Sequence, residues 1–287
     1  MPFEHRTDTV GSLRMHYVLE GSGPLVVLLH GFPEFWWSWR FQIAPLAAAG
    51  YRVVAPDLRG YNETERTGPY DLDTLSGDIA SLIAHLGESR ATIVGHDWGG
   101  AITWHLAAMR PDTCERAVVL NAPHPAVFGA VLRHSLGQLR RSWYMFFFQL
   151  PWLPERWLVK DGARLLRRIY RGNAVDRSNF TDDDVRPFQN AITQPGAATA
   201  ALGYYRAALP RLVKNRGNIG RYPVITRPTL LIWAKDDQAL GYQELVPPTR
   251  RWVSDLKIEP IEQCGHFVHQ ERPEEVNARL LSFLKSG

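Results

Sequence analysis

The sequence predicts an α/β fold: a mostly parallel central sheet with helices on both faces and one large helical insertion. Three observations predict it. Short apolar runs alternate with helical patterns up to about residue 122, the alternation stops between Ala126 and Arg227, and it resumes at Thr229. Strand–helix alternation makes parallel pairs, because a parallel return needs a crossover long enough to hold a helix.

The elements follow in order. The first twenty residues alternate weakly and read as an antiparallel edge hairpin turning near Gly11 and Ser12. Leu25 to His30 is a continuous apolar run, the pattern of a strand buried on both faces, and Arg52 to Pro56, Ala91 to Gly95 and Ala117 to Asn121 read the same way. Thr74 to Leu86 is predicted as a helix: Leu75, Ile79, Leu82, Ile83 and Leu86 share one face, Asp73 can cap the start, and Gly87 closes the end. Ala101 to Met109 is a second helix, stopped by Arg110-Pro111. From Ala126 to Arg227 the chain is rich in Trp, Tyr, Phe and Arg and reads as helices broken by Pro151, Pro154, Pro187, Pro195 and Pro210. Thr229 to Trp233 and Leu256 to Glu262 read as two further buried strands. A last helix runs from Glu274 to Leu284, with Pro273 at its first turn. The domain division expected is a core of residues 1–125 and 228–287 split by a helical insertion at 126–227.

A chain of 287 residues can bury a full core without staples. Its 45% apolar and 22% charged content argues against disorder. Two cysteines make no disulfide scaffold, and no zinc-type Cys/His spacing is present, so no metal and no cofactor is expected. No apolar run reaches the ~18 residues a membrane span needs. The start, Met1 to Val10, has charges where a signal peptide needs an apolar stretch, and a cytoplasmic location is the expectation. The net charge of +4 owes much to Arg133, Arg140, Arg141, Arg156, Arg164, Arg167, Arg168 and Arg171. No nucleic-acid module accompanies them, and they read as a solvated helical face rather than a nucleic-acid site. Trp143, Trp152 and Trp157 read as lining an apolar tunnel over the site, with rest on a lipid surface as the other reading.

The chemistry centres on Gly95-His96-Asp97-Trp98-Gly99-Gly100, which follows one predicted strand and opens a helix. That is the context of a nucleophile elbow, where glycines make room for a tight, strained turn. The central residue is Asp97 rather than Ser. A carboxylate attacks an alkyl carbon and becomes an ester, so the substrates expected are carbon electrophiles such as epoxides or alkyl halides. Water must then hydrolyse that ester, which needs a base. His266, in Cys264-Gly265-His266-Phe267 after the last predicted strand, occupies the position of that base. His269 completes an HxxH pair, but no third ligand is evident, so a metal site is not expected. The acid that orients His266 should follow the strand at 229–233, where Asp236 and Asp237 both qualify by spacing. His30-Gly31-Phe32-Pro33-Glu34 follows the first buried strand, and the backbone N–H groups of Phe32 and Trp98 are the expected oxyanion hole.

These segments together resemble the soluble epoxide hydrolase family of the α/β-hydrolase fold over essentially the whole chain. They are HGFPE at 30–34, GHDWGG at 95–100, the Asp-containing loop after Trp233, and CGHF at 264–267 followed by Gln270-Glu271-Arg272-Pro273. The resemblance implies that Asp237 is the orienting acid and that a helical cap enters after the sixth strand. It also implies two cap tyrosines that donate to the epoxide oxygen. Trp143 to Pro151 looks like the first such site, with Tyr144 the candidate. Tyr204-Tyr205-Arg206 resembles the second, with Tyr205 the candidate and Tyr204 its competitor. The segment Asp57 to Thr64 departs from the family pattern, with Asn62 where a second glycine is usual. Asn can adopt the left-handed conformation the glycine would supply.

The expected activity is hydrolysis of a small-molecule epoxide by water to a vicinal diol, by a monomer or homodimer. The alternative with the same nucleophile is a haloalkane or haloacid dehalogenase, in which Trp98 would donate to the halide. That family usually has Asn or Trp where Phe32 stands, and a fluoroacetate dehalogenase would carry Arg where Trp98 stands. A non-catalytic binding protein of the same fold is the third reading, set against the presence of nucleophile, acid and base together.

Overall fold

The strands assemble into one eight-stranded sheet in a computed structural model that describes residues 3–214 and 222–286. Met1, Pro2, Gly287 and residues 215–221 of the expected insertion lie outside the described residues. The strand order is β1-β2-β4-β3-β5-β6-β7-β8. β1 (Glu4–Val10) and β2 (Leu13–Glu20) form the edge hairpin, with Val10 opposite Leu13, and β2 runs antiparallel to β4 (Arg52–Pro56). All remaining pairs are parallel: β3 (Leu25–Leu29) with β4 and β5 (Ala91–His96), then β6 (Cys114–Leu120), β7 (Thr229–Ala234) and β8 (Leu256–Ile261) in turn.

β3, β5 and β7 are buried along their whole length, as unbroken apolar runs require between two helical layers. β8 differs from its expectation as a buried strand. Among the described residues it has a neighbouring strand on one side only, and of its own residues Ile261 alone is buried.

α1 (Arg40–Ala48), α2 (Leu72–His85) and α3 (Trp98–Met109) pack on the sheet. In α2, Leu75, Ile79, Leu82 and Ile83 are buried. Burial of each such side chain is worth about 1.5–3 kcal/mol relative to exposure. The cap of α2 corrects the sequence expectation. Asp71, not Asp73, accepts the Thr74 N–H at 3.2 Å, and Asp73 sits in the first turn. Gly87 follows the helix with φ +84°, where a side chain would be strained.

Between β6 and β7 the elements among the described residues are helical: α4 (Pro125–His134), α5 (Leu136–Arg141), α6 (Trp143–Phe147), α7 (Leu153–Gly172), α8 (Asp182–Ile192) and α9 (Ala197–Lys214). The prolines act less uniformly than expected. Pro154 starts α7 and Pro195 lies between α8 and α9, but Pro187 and Pro210 sit inside continuous helices. An interior proline costs ~3 kcal/mol. In α8 the burial of Val185, Phe188 and Ile192 offsets that cost. α7 is interrupted instead at Asp161, Gly162 and Ala163, all with φ between +52° and +65°. α10 (Tyr242–Leu245), α11 (Val268–Glu271) and α12 (Pro273–Lys285) complete the chain.

The carboxyl ends of β3, β5, β6, β7 and β8 lie side by side. Open parallel sheets bind ligands along that edge. From it emerge the segments bearing Phe32, Asp97, Asn121, Asp237 and His266.

Candidate active site

Asp97 sits between β5 and α3 with φ +51° and ψ −115°, a conformation non-glycine residues rarely hold. The sequence permits it by removing side chains nearby. A Cβ on Gly99 would overlap the Leu29 carbonyl, and one on Gly31 would overlap the Asp97 side chain itself. The turn therefore presses the Asp97 carboxylate against the loop after β3. The Phe32 N–H donates to Oδ1 of Asp97 at 2.9 Å. The Trp98 N–H belongs to the first turn of α3, where N–H groups have no partner within the helix.

His266 follows β8. Its Nδ1 lies 2.7 Å from Oδ2 of Asp237, and its Nε2 lies 3.6 Å from Oδ2 of Asp97. Asp237 is buried and held on all sides. Oδ1 accepts from the N–H groups of Ala239 and Leu240 at 2.8 and 2.9 Å, and Oδ2 accepts from Nδ2 of Asn121 at 2.8 Å. Asp236, the other acid the spacing allowed, is exposed. Burial pushes the Asp237 carboxyl up, but the adjacent His266 charge, Asn121 and the Leu240 N–H outweigh it and hold it below the usual carboxylate range. Asp97 is held low in the same way, by His266 against its burial. Burial works against a charged His266, yet the carboxylates of Asp237 and Asp97 hold its imidazolium well above the ordinary histidine value. The loop bearing His266 is tied from two directions: its N–H donates to the Asn173 carbonyl, and the Gly265 N–H donates to Oε2 of Glu271.

Residues 26–279 match the alpha/beta hydrolase family. The AB hydrolase superfamily protein YfhM of Bacillus subtilis is 39% identical over 96% of this chain and 95% of its own. Human epoxide hydrolase 4 is 36% identical over 95% of this chain and 76% of its own. The chain belongs to the epoxide hydrolase family of alpha/beta hydrolases. A crystal structure of the Bacillus megaterium epoxide hydrolase in complex with an inhibitor has a TM-score of 0.89 to it, at 30% identity, covering 98% of this chain and 100% of the other.

In this hydrolase Asp97 opens into a cavity of about 260 Å³, lined beside it by Trp98, Tyr144 and Tyr205. Tyr144 comes from α6 and Tyr205 from α9. Their ring centroids are 5.9 Å apart, and Tyr205 packs edge-on against Trp98 at 5.0 Å and Phe32 at 5.2 Å. Burial and the Asp97 charge push both phenols up, so both keep their protons at neutral pH. Tyr204 points elsewhere: its hydroxyl donates to the Arg59 carbonyl at 2.7 Å, and its ring stacks on Tyr70. Trp143, Trp152 and Trp157 do not line the cavity and are exposed, which corrects the tunnel expectation. Asn62 does take the left-handed conformation, φ +44°, and donates to Oδ2 of Asp57.

Several polar groups around the site escaped the sequence reading. Asn121, at φ +41° after β6, holds Asp237 with its Nδ2 and accepts the Ala234 N–H on its Oδ1. Its signal was a polar residue ending an apolar strand. Behind the nucleophile, Glu34 accepts from the Gly31 N–H and from Gln270, and it pairs with Nδ1 of His96 at 2.9 Å. His96 Nε2 donates to the His266 carbonyl at 2.9 Å. Glu34, His96 and His269 also form the cluster of possible metal ligands among the described residues. Both Glu34 oxygens and both His96 nitrogens are already engaged by hydrogen bonds, so these groups act as a brace between the Phe32 loop and the His266 loop. At the far end of the cavity His105 bridges Tyr222 and Asp73, at 2.8 and 3.1 Å.

Proposed function

We propose that this chain hydrolyses small-molecule epoxides to vicinal diols through a covalent ester on Asp97. The observation that carries the reading is that Asp97, backed by His266 and Asp237, shares one cavity with two protonated phenols contributed by the helical segment. In this reading residues 126–227 act as a cap and residues 1–125 and 228–287 as the catalytic core.

The Phe32 N–H occupies Oδ1 of Asp97, which leaves Oδ2 as the attacking atom. Oδ2 forms a bond to an epoxide carbon as the ring C–O bond breaks. The departing oxygen takes a proton from Tyr144 or Tyr205, because an alkoxide leaves poorly without one. Water then attacks Cγ of the ester, giving its proton to Nε2 of His266. Asp237 fixes the tautomer and stabilises the imidazolium. Negative charge develops on Oδ1 in that step, where the N–H groups of Phe32 and Trp98 meet it. On collapse the Cγ–Oδ2 bond breaks, the leaving alkoxide takes the proton from His266, and the remaining hydroxyl proton on Cγ returns to the phenolate, which frees the diol and restores the Asp97 carboxylate and the tyrosine.

The dehalogenase reading is less well supported. The side chain of Phe32 offers no donor to a halide, and paired phenols serve an oxygen leaving group. The deciding assay offers styrene-type, alicyclic and fatty-acid epoxides with haloalkanes as controls. Diol formation without halide release is expected, and halide release alone would replace this reading.

A further inference from the structure

The helices between β6 and β7 carry an apolar patch that the described residues leave uncovered. Trp143 and Phe146 stand out from α6, Leu150 and Trp152 from the turn after it, and Leu153 and Trp157 from the start of α7. Trp152 is 64% exposed and Trp143 is 54% exposed, unusual for the largest apolar side chain. Two of these rings are joined across the helices. The half-buried Phe147 ring lies 6.1 Å from Trp143 and 5.3 Å from Trp157, joining α6 to α7. The backbone beneath is fixed rather than loose: Arg206 donates to the carbonyls of Phe148 and Leu150 and pairs with Glu155. Trp152 is held at φ +49°, a strained conformation for a tryptophan, with its side chain in solvent.

Cations neighbour these rings along the chain. Arg140, Arg156, Lys160, Arg164 and Arg168 are exposed, and none has a carboxylate partner among the described residues. The acids between Arg133 and Arg171 are Glu155, which Arg206 already holds, and Asp161.

We propose that this face docks on an anionic lipid bilayer, the rings entering the headgroup boundary and the cations pairing with acidic headgroups. Charge decides between this occupant and a second copy of the chain. A two-fold self-contact would bring together two copies of a surface on which Asp161 is the one acid between Arg133 and Arg171 not already held, whereas an acidic surface neutralises the cations. Apolar substrates concentrate in bilayers, so docking there would shorten the path to the Asp97 cavity. The inference does not depend on the catalytic reading, because none of the six apolar side chains lines that cavity.

The test is co-sedimentation of the full chain with vesicles of phosphatidylcholine alone and of phosphatidylcholine with phosphatidylglycerol. Sedimentation is expected with the anionic vesicles only, weakening as salt rises from about 0.1 to about 1 M. The Trp152→Ala/Trp157→Ala variant and the Arg156→Glu/Lys160→Glu/Arg164→Glu variant should each lower vesicle affinity by about tenfold or more. Unfolding temperatures and hydrolysis in vesicle-free buffer should stay near those of the parent. No sedimentation with anionic vesicles, or sedimentation that the charge-reversed variant retains, overturns the proposal. So does a dimer in analytical ultracentrifugation that the Trp152→Ala/Trp157→Ala change dissociates, since a second copy would then cover the patch.

Discussion

Nε2 of His266 stands 3.6 Å from Oδ2 of Asp97, too far for a hydrogen bond but close enough for each charge to stabilise the other. The relationship is asymmetric in time. In the resting site two carboxylates hold the His266 imidazolium well above the ordinary histidine value, against its burial. In the proposed mechanism alkylation turns Asp97 into a neutral ester and removes one of those charges. His266 should then lose its proton more readily, just when the proposed mechanism needs a base.

The sign of this coupling can be measured. Below the histidine pKa of the ester form the ring is charged and cannot take a proton from water. The covalent ester should therefore accumulate as pH falls, and the pKa governing its hydrolysis should lie below that of His266 in the free enzyme. Rapid quench with mass spectrometry over a pH series gives the first value, and NMR titration of His266 gives the second. Equal values would mean that Asp97 does not set the charge of His266.

The two half-reactions should also separate by mutation. Asp97→Ala should abolish diol formation. His266→Gln should still be alkylated without turning over, gaining the mass of one substrate molecule on the peptide bearing Asp97. An unmodified His266→Gln protein after long exposure to a reactive epoxide would place His266 in the first step.

The orienting acid gives a sharper comparison, because two neighbours differ in everything but charge. Asp237 is buried among four donors including His266, and Asp236 is exposed. Asp237→Asn should slow ester hydrolysis on the order of 10²–10⁴-fold, while Asp236→Asn should change it less than about threefold. The reverse ranking would overturn the assignment of Asp237 to this role.

How much of this was legible follows from the physics of each signal. Buried parallel strands are continuous apolar runs, so β3 and β4 could be read to within a residue. The elbow was legible because a strained turn demands glycines at fixed offsets. Asp236 and Asp237 could not be separated by spacing, since a loop hides which of two adjacent side chains turns inward. Asn121, Glu34 and His96 were missed for a related reason: they act through bonds to residues 62 to 236 positions away, and no local pattern records such partners. Trp143, Trp152 and Trp157 misled because apolar residues are normally inside, and composition cannot tell a lining from an outer face.

In the proposed mechanism the paired tyrosines set the reaction class. Tyr144 and Tyr205 face the cavity that holds Asp97, and both keep their protons at neutral pH. An epoxide oxygen leaves as an alkoxide still tethered to the substrate, so it needs a donor on the side away from Asp97. Replacing Tyr by Phe removes the hydroxyl and keeps the ring, which preserves the edge-on packing of Tyr205 on Trp98 and Phe32. General acid help is worth about 10²–10⁴-fold. With two donors sharing the task, Tyr144→Phe and Tyr205→Phe should each slow single-turnover alkylation by about the lower end of that range. The double variant should nearly abolish it. Tyr204→Phe should leave the rate close to that of the parent, because that hydroxyl is committed to the Arg59 carbonyl. A halide departs without a proton, so any dehalogenation would be indifferent to the tyrosines and sensitive to Trp98. Unchanged epoxide opening in the double Phe variant, with halide release that Trp98→Phe removes, would make the dehalogenase reading the correct one.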